Sequence, residues 1–251
     1  MINDSLIILA AGLSSRMKKS VSNNNLSKNS IEQANNTEKG LISIDKNGRP
    51  LIHYLLLNAK SAGFKTIYLV IGQKSKSFKN YFNKNIYDGL DIKFAIQYFD
   101  KNRVKPSGTA DALYQTITQF PVLKSLNFCV CNSDNLYSSK ALNSVRSTSF
   151  LNAFISYDRD YLNFSTEKVN SFSILKLNKN GYLEDILEKP TAKDYEFFKD
   201  KNGKIRVNMN LFKFNGSVFF EYLKNCPFDK LRNEKELPTA VLNLVKNQPN
   251  S

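Results

Sequence analysis

Between residues 5 and 150, four apolar runs alternate with helix-like stretches, and this alternation restricts the chain to a small set of α/β folds. The runs are SLIILA, TIYLVIG, IKFAIQYF and LNFCVCNSD. None alternates strictly between apolar and polar, the pattern of strands covered on both faces in a parallel sheet. RPLIHYLLLNAKSAG, KSFKNYFNK and GTADALYQTITQF lie between them, and the first and third carry the apolar spacing of amphipathic helices. The expected architecture is an α/β, Rossmann-like doubly wound sheet with its ligand site beyond the carboxyl ends of the strands.

After residue 150 the pattern changes. FLNAFISYD, SFSILKLNKNGYLEDIL and KIRVNMNLFKFN show period-2 alternation, with an Asn-Gly turn at Asn180 and Gly181. These predict added antiparallel strands and hence a mixed sheet. FFEYLKNC and ELPTAVLNLVKN read as closing helices, and His53 in PLIHYLL as a helix-packing residue. Residues 20–38, SVSNNNLSKNSIEQANNTE, are polar and free of aromatics, so they bury too little to offset their ordering entropy; a mobile loop is expected there.

Composition excludes several classes. No run of about 18 apolar residues is present, and MINDSLIILAAG carries Asp4 where a secretory signal is basic, so a soluble, cytoplasmic protein without membrane contact is expected. Of three cysteines, Cys129 and Cys131 alternate within an apolar strand as small hydrophobes; with one His and no CxxC pair, a structural zinc site is not expected. The formal net charge of +14 raises the question of nucleic acid, but lysines are spread along the chain without a block of like charge, which argues against it. The same charge draws in small anionic phosphates.

The strand ending at Leu9 is followed by Ala10, Ala11 and Gly12, a tight turn whose backbone N–H groups can approach a phosphate chain, and Arg16 adds a charged fork. On these residues alone an ordinary strand-to-helix turn remains an alternative. Gln97 ends the third strand and offers a paired donor and acceptor to a pyrimidine edge; Gly108 and Thr109 open a helix whose first N–H groups are expected to be unpaired, although a plain Thr109 cap fits equally. Asp134 ends the fourth strand, where a carboxylate suits a bound cation such as Mg2+, or else caps the next helix.

LAAGLSSRM, residues 9 to 17, closely resembles the signature loop of the nucleotidyltransferase superfamily that includes the sugar-1-phosphate thymidylyl- and uridylyltransferases. The opening is also similar to that of molybdopterin and isoprenoid-pathway nucleotidyltransferases. The resemblance implies a glycosyltransferase-A-like nucleotidyltransferase domain whose loop wraps a nucleoside triphosphate and whose arginine, here Arg16, steadies the leaving pyrophosphate. A lysine follows in that family before a segment like G-R-P-L-I; Lys39, in EKGLISIDKNGRPLIHYLL, occupies that place. KPSGTADAL resembles the family's Gly-Thr-Ala-x-Ala element, and CNSDNLY its Gly-Asp-Asn element with Ser133 for the glycine, implying Mg2+ on Asp134.

ILEKPTA resembles a Glu-Lys-Pro segment in which the acid, here Glu188, contacts sugar hydroxyls and the lysine, Lys189, the sugar phosphate. VNMNLFKF resembles the strand carrying a sugar-contacting asparagine, Asn208. The implied whole is one domain, residues 1–251, in which 1–150 bind a pyrimidine-favoured triphosphate and 151–251 a sugar 1-phosphate. ELPTAVLNLVKN looks like a late element after which relatives carry a second metal-binding acid. Here NQPNS follows, so the metal is expected on Asp134 with phosphates, or with a substitute residue. Transfer to a non-sugar phosphate, and binding without turnover, stand as alternatives.

Overall fold

The computed structural model describes residues 3–12 and 37–249. Four parallel strands form the sheet's first half: β1 (Ser5–Leu9), β2 (Thr66–Gly72), β3 (Asp91–Gln97) and β4 (Asn127–Asn132), in the order β3-β2-β1-β4. Antiparallel strands extend it. β8 (Arg206–Asn215) pairs β4 and, on its other edge, β5 (Ala153–Asp158), while the hairpin of β6 (Ile174–Leu177) and β7 (Leu183–Leu187) joins the first residues of β8. This is the mixed doubly wound sheet expected from the sequence.

The continuous apolar runs resolve into two opposite faces, because successive strand side chains alternate. Leu6 and Ile8 of β1, with Ile67, Leu69 and Ile71 of β2, face helices α1 (Leu51–Ser61), α2 (Ser77–Lys84) and α4 (Ser139–Ser147). Ile7, with Tyr68 and Val70, faces α3 (Thr109–Gln119), α7 (Gly216–Lys224) and α8 (Leu237–Asn247). Cys129 and Cys131 lie on the first face, buried and free, as small hydrophobes do. Two short helices, α5 (Thr166–Asn170) and α6 (Asp194–Phe197), flank the hairpin.

The turn at Asn180 and Gly181 is organised by a residue outside it. Asn178 Oδ1 accepts from the N–H of Asn180 and Tyr182, and Gly181 takes φ 86°, giving a five-residue loop rather than a two-residue one. His53 packs as expected, with Nδ1 2.9 Å from the Tyr87 hydroxyl. No helix among the described residues is long and apolar enough to cross a membrane.

Strand order positions the site. β1 sends its chain to β2 on one side, while β4 lies on the other, so a crevice opens where the carboxyl ends of β1 and β4 diverge.

Candidate active site

A cleft of ≈ 280 Å³ occupies that crevice. Leu9, Ala10, Ala11 and Gly12 form one wall, Gln97, Gly108 and Thr109 a second, and Lys39 and Asp134 a third. Nine of the residues singled out in the sequence are thereby brought together from five separate segments. Arg16, and residues 20–36 of the segment 20–38 expected to be a mobile loop, lie outside the described residues.

Lys39 sits in a single 3-10 turn, Lys39–Leu41, and its Nζ stands 3.0 Å from Asp134 Oδ2. Gly40 makes that approach possible: a Cβ there would stand 3.3 Å from Ser133 and from the Phe78 ring. Ser133 N–H donates to Leu9 O at 3.0 Å, stitching the turn before Asp134 to the phosphate-loop strand. Asp134 is not a helix cap; Ser138 holds that place on α4, accepting from Ala141 N–H.

The Gly108–Thr109 wall differs from expectation in two respects. Gly108, at φ 105°, is the N-cap, and Thr109 Oγ1 instead accepts from Leu237 N–H at 2.9 Å. Ala110 N–H, expected unpaired, donates to Lys235 O at 2.9 Å. The segment before α8 thus closes the helix start, and a Cβ on Gly108 would fall 2.4 Å from Lys235 O. Gln97 is buried, and its Nε2 donates to Gly108 O and to Asp111 Oδ2, both at 2.9 Å. Only its carbonyl oxygen remains for a ligand, so the paired donor and acceptor read from the sequence reduce to an acceptor.

Two charged residues of the cleft escaped the sequence reading. Lys105 and Glu234 line the same cavity and pair at 2.5 Å, while Arg103 donates to Asn233 O. They tie the loop before α3 to the strap of residues 228–236, a partnership across 129 positions that no local pattern signals.

Glu188, Lys189 and Asn208 stand outside the first cleft but are joined to one another. Ser173 Oγ donates to Glu188 Oε1 at 2.7 Å, and Ser173 O accepts from Asn208 N–H at 3.0 Å. Asn208 Oδ1 accepts from Asn210 N–H at 2.8 Å, stabilising Asn210 at φ 56°; Lys189 also takes a left-handed φ of 52°. The strap lies within electrostatic range of this group. Backbone N–H groups of Arg232 and Leu231 hold the Asp229 carboxyl below its usual range, with Lys189 adding a smaller attraction. Arg232 bonds Glu236 and lies in the field of both Glu188 and Glu234. The strap therefore adjoins both groups of candidate residues.

Tyr137 fastens the Asp134 turn to β8. Its buried hydroxyl donates to Met209 O at 2.6 Å and accepts from Asn135 Nδ2 at 3.0 Å. Asn135 Nδ2 also reaches Met209 O, at 3.3 Å, which sets the turn of Asp134 beside the Asn208 bend.

Comparison with known proteins adds the following. A family model described as Nucleotidyl transferase matches residues 34–249. The bifunctional protein GlmU of Staphylococcus epidermidis is 25% identical over 243 residues, covering 96% of this chain and 45% of that protein. Glucose-1-phosphate adenylyltransferase of Bradyrhizobium diazoefficiens is 24% identical over 204 residues, covering 78% and 47% respectively. The chain spans about half the length of these curated relatives. A solved UDP-glucose pyrophosphorylase, complexed with UDP-glucose, shares the fold at a TM-score of 0.71 and 18% identity, covering 99% of this chain and 88% of that one.

Proposed function

From the premise that this chain belongs to the nucleotidyl transferase family, we propose that it transfers a nucleoside monophosphate from a nucleoside triphosphate to a sugar 1-phosphate, releasing pyrophosphate. The observation that carries the reading is the convergence of Leu9–Gly12, Gln97, Gly108–Thr109, Lys39 and Asp134 on one cleft. In this reading residues 1–150 hold the nucleotide and 151–251 the acceptor, within one domain.

Ala10 N–H is committed to Val70 O at 2.8 Å, so the backbone donors for the triphosphate are Ala11 and Gly12, joined by Lys39 and Arg16. Asp134 would hold Mg2+. Among the described residues there is no cluster of three or more His, Cys, Asp or Glu able to hold a metal, and a lone carboxylate plus substrate phosphate oxygens is a set that Mg2+ accepts. The ion, when bound, offsets the charge that develops as the α-phosphorus is attacked. Lys189 holds the acceptor phosphate, while Glu188 and Asn208 meet the sugar. A phosphate monoester is already ionised near neutral pH, so no general base is required; positioning and charge neutralisation supply the rate.

Uridine and thymidine nucleotides are the first donors to test, since the N3–H of either base suits the one acceptor that Gln97 presents. The three buried free thiols suit a reducing, cytoplasmic setting. The test is pyrophosphate release across a panel of nucleoside triphosphates and sugar 1-phosphates with Mg2+. Release that needs one pairing supports the reading; nucleotide binding without release at any pairing refutes it.

A further inference from the structure

Three glutamines and an aspartate on β3 and α3 form a hydrogen-bonded ladder whose last rung is in the nucleotide cleft. β3 is an outer strand of the sheet, and among the described residues no strand neighbours one edge of its backbone. Gln119 Oε1 accepts from Ile96 N–H at 2.9 Å, and its Nε2 donates to Ile96 O at 2.8 Å. Gln115 does the same at Tyr98, with both distances 2.8 Å. Four residues apart, the two amides share one face of α3 and stand in for the absent strand.

Because a backbone N–H only donates and a C=O only accepts, both glutamine orientations are forced. Gln115 Nε2 also donates to Asp111 Oδ2 at 2.9 Å. The same Oδ2 accepts one proton of Gln97 Nε2, and Gly108 O accepts the other. An amide nitrogen has two protons, so its donor capacity is complete. Turning the amide over would set Gln97 Oε1 against a carboxylate and a carbonyl. Gln97 is only 2% exposed and lines the cleft, and no described residue donates to its Oε1.

We propose that Asp111 is the positioning residue for base discrimination: it locks the Gln97 amide so that the cleft offers the base an acceptor and never a donor. The proposal rests on the nucleotide-binding part of the reading above. Uracil and cytosine share an outline but reverse their edge pattern, O4 and N3–H against N4–H₂ and N3; guanine and adenine do likewise. A fixed acceptor that meets N–H in one member of a pair meets a lone pair in the other. A rotatable amide would accept both. The locked form therefore separates UTP from CTP, or GTP from ATP, by about tenfold to a hundredfold in affinity, the effect of one buried mismatched polar contact.

The experiment is calorimetric titration of the full chain with UTP, CTP, GTP and ATP, each with Mg2+, for the unaltered protein, Asp111→Ala and Asp111→Asn. Asp111→Ala should keep nucleotide binding but bring the within-pair ratio to about threefold or less, while Asp111→Asn, which retains an acceptor oxygen, should preserve the ratio. In the unaltered protein, methylating the base nitrogen that donates should weaken binding by the same factor, a readout independent of whether a variant folds. An unchanged ratio in a folded Asp111→Ala, or tight binding without within-pair preference in the unaltered protein, overturns the inference and leaves the nucleotide reading intact. Failure of all four nucleotides to bind overturns both.

Discussion

Lys39 and Asp134, separated by 95 positions in the chain, meet at 3.0 Å in the cleft, each with more than a third of its side chain exposed. At that exposure the pair contributes about 0–1 kcal/mol to stability, so removing one of its charges should cost the fold little. Asp134→Asn should melt within a few degrees of the unaltered protein yet release pyrophosphate about a hundredfold or more slowly at saturating Mg2+. A calorimetric scan beside a coupled pyrophosphate assay makes both measurements.

Tyr137 joins the Asp134 turn to the bend of β8 through its 2.6 Å bond to Met209 O. Tyr137→Phe removes that bond and leaves Met209 O with the longer 3.3 Å contact from Asn135 Nδ2, at a cost of about 0.5–1.5 kcal/mol. With the bend at Asn208 loosened, the KM for sugar 1-phosphate should rise more than the KM for nucleotide. Urea unfolding and steady-state kinetics report the two effects.

Gly108 has no room for a side chain, since a Cβ would stand 2.4 Å from Lys235 O at a φ of 105°. Gly108→Ala should lose at least about 1–3 kcal/mol from backbone strain alone. Because Lys235 and Leu237 must also move, nucleotide affinity should fall together with the urea midpoint. Unchanged affinity in a destabilised variant would separate the strap from the cleft.

Burial pushes the Cys129 thiol up to about 12 from its ordinary 9.0. A folded value above the unfolded one favours the fold while the thiol is protonated; this contribution is complete below about pH 9 and is lost as pH rises towards 12. The thiols of Cys129, Cys131 and Cys226 are all buried, so a thiol reagent at pH 8 should leave the native protein unlabelled and modify all three after unfolding.

The parallel half of the fold was legible because Ile7, Leu69 and Val130 lie in runs that are apolar throughout, a pattern that only a sheet covered on both faces accommodates. The candidate cleft was legible for a related reason: Leu9, Gln97 and Asp134 each close an apolar run, and parallel strands bring such ends to one edge of the sheet. What stayed hidden depends on partners far along the chain. Nothing near Ala110 announces that Lys235 O takes its N–H, and nothing near Gln97 announces that Asp111 and Gly108 take both its protons. Lys105 and Glu234 each read as a surface charge until the strap brings them together in the cleft. The separation of Glu188, Lys189 and Asn208 from the nucleotide cleft likewise follows from the hairpin of β6 and β7, whose placement against β8 is a tertiary fact.

The central claim is transfer of the nucleotidyl group itself, and the most direct measurement follows that group. The chain is incubated with Mg2+, a sugar 1-phosphate and a nucleoside triphosphate labelled at the α-phosphorus, and the products are separated. The label is expected to move into a nucleotide sugar in step with pyrophosphate, and Asp134→Asn to slow that transfer about a hundredfold or more. Label that stays in the triphosphate, or leaves only as free nucleoside monophosphate with every sugar phosphate tried, would contradict it.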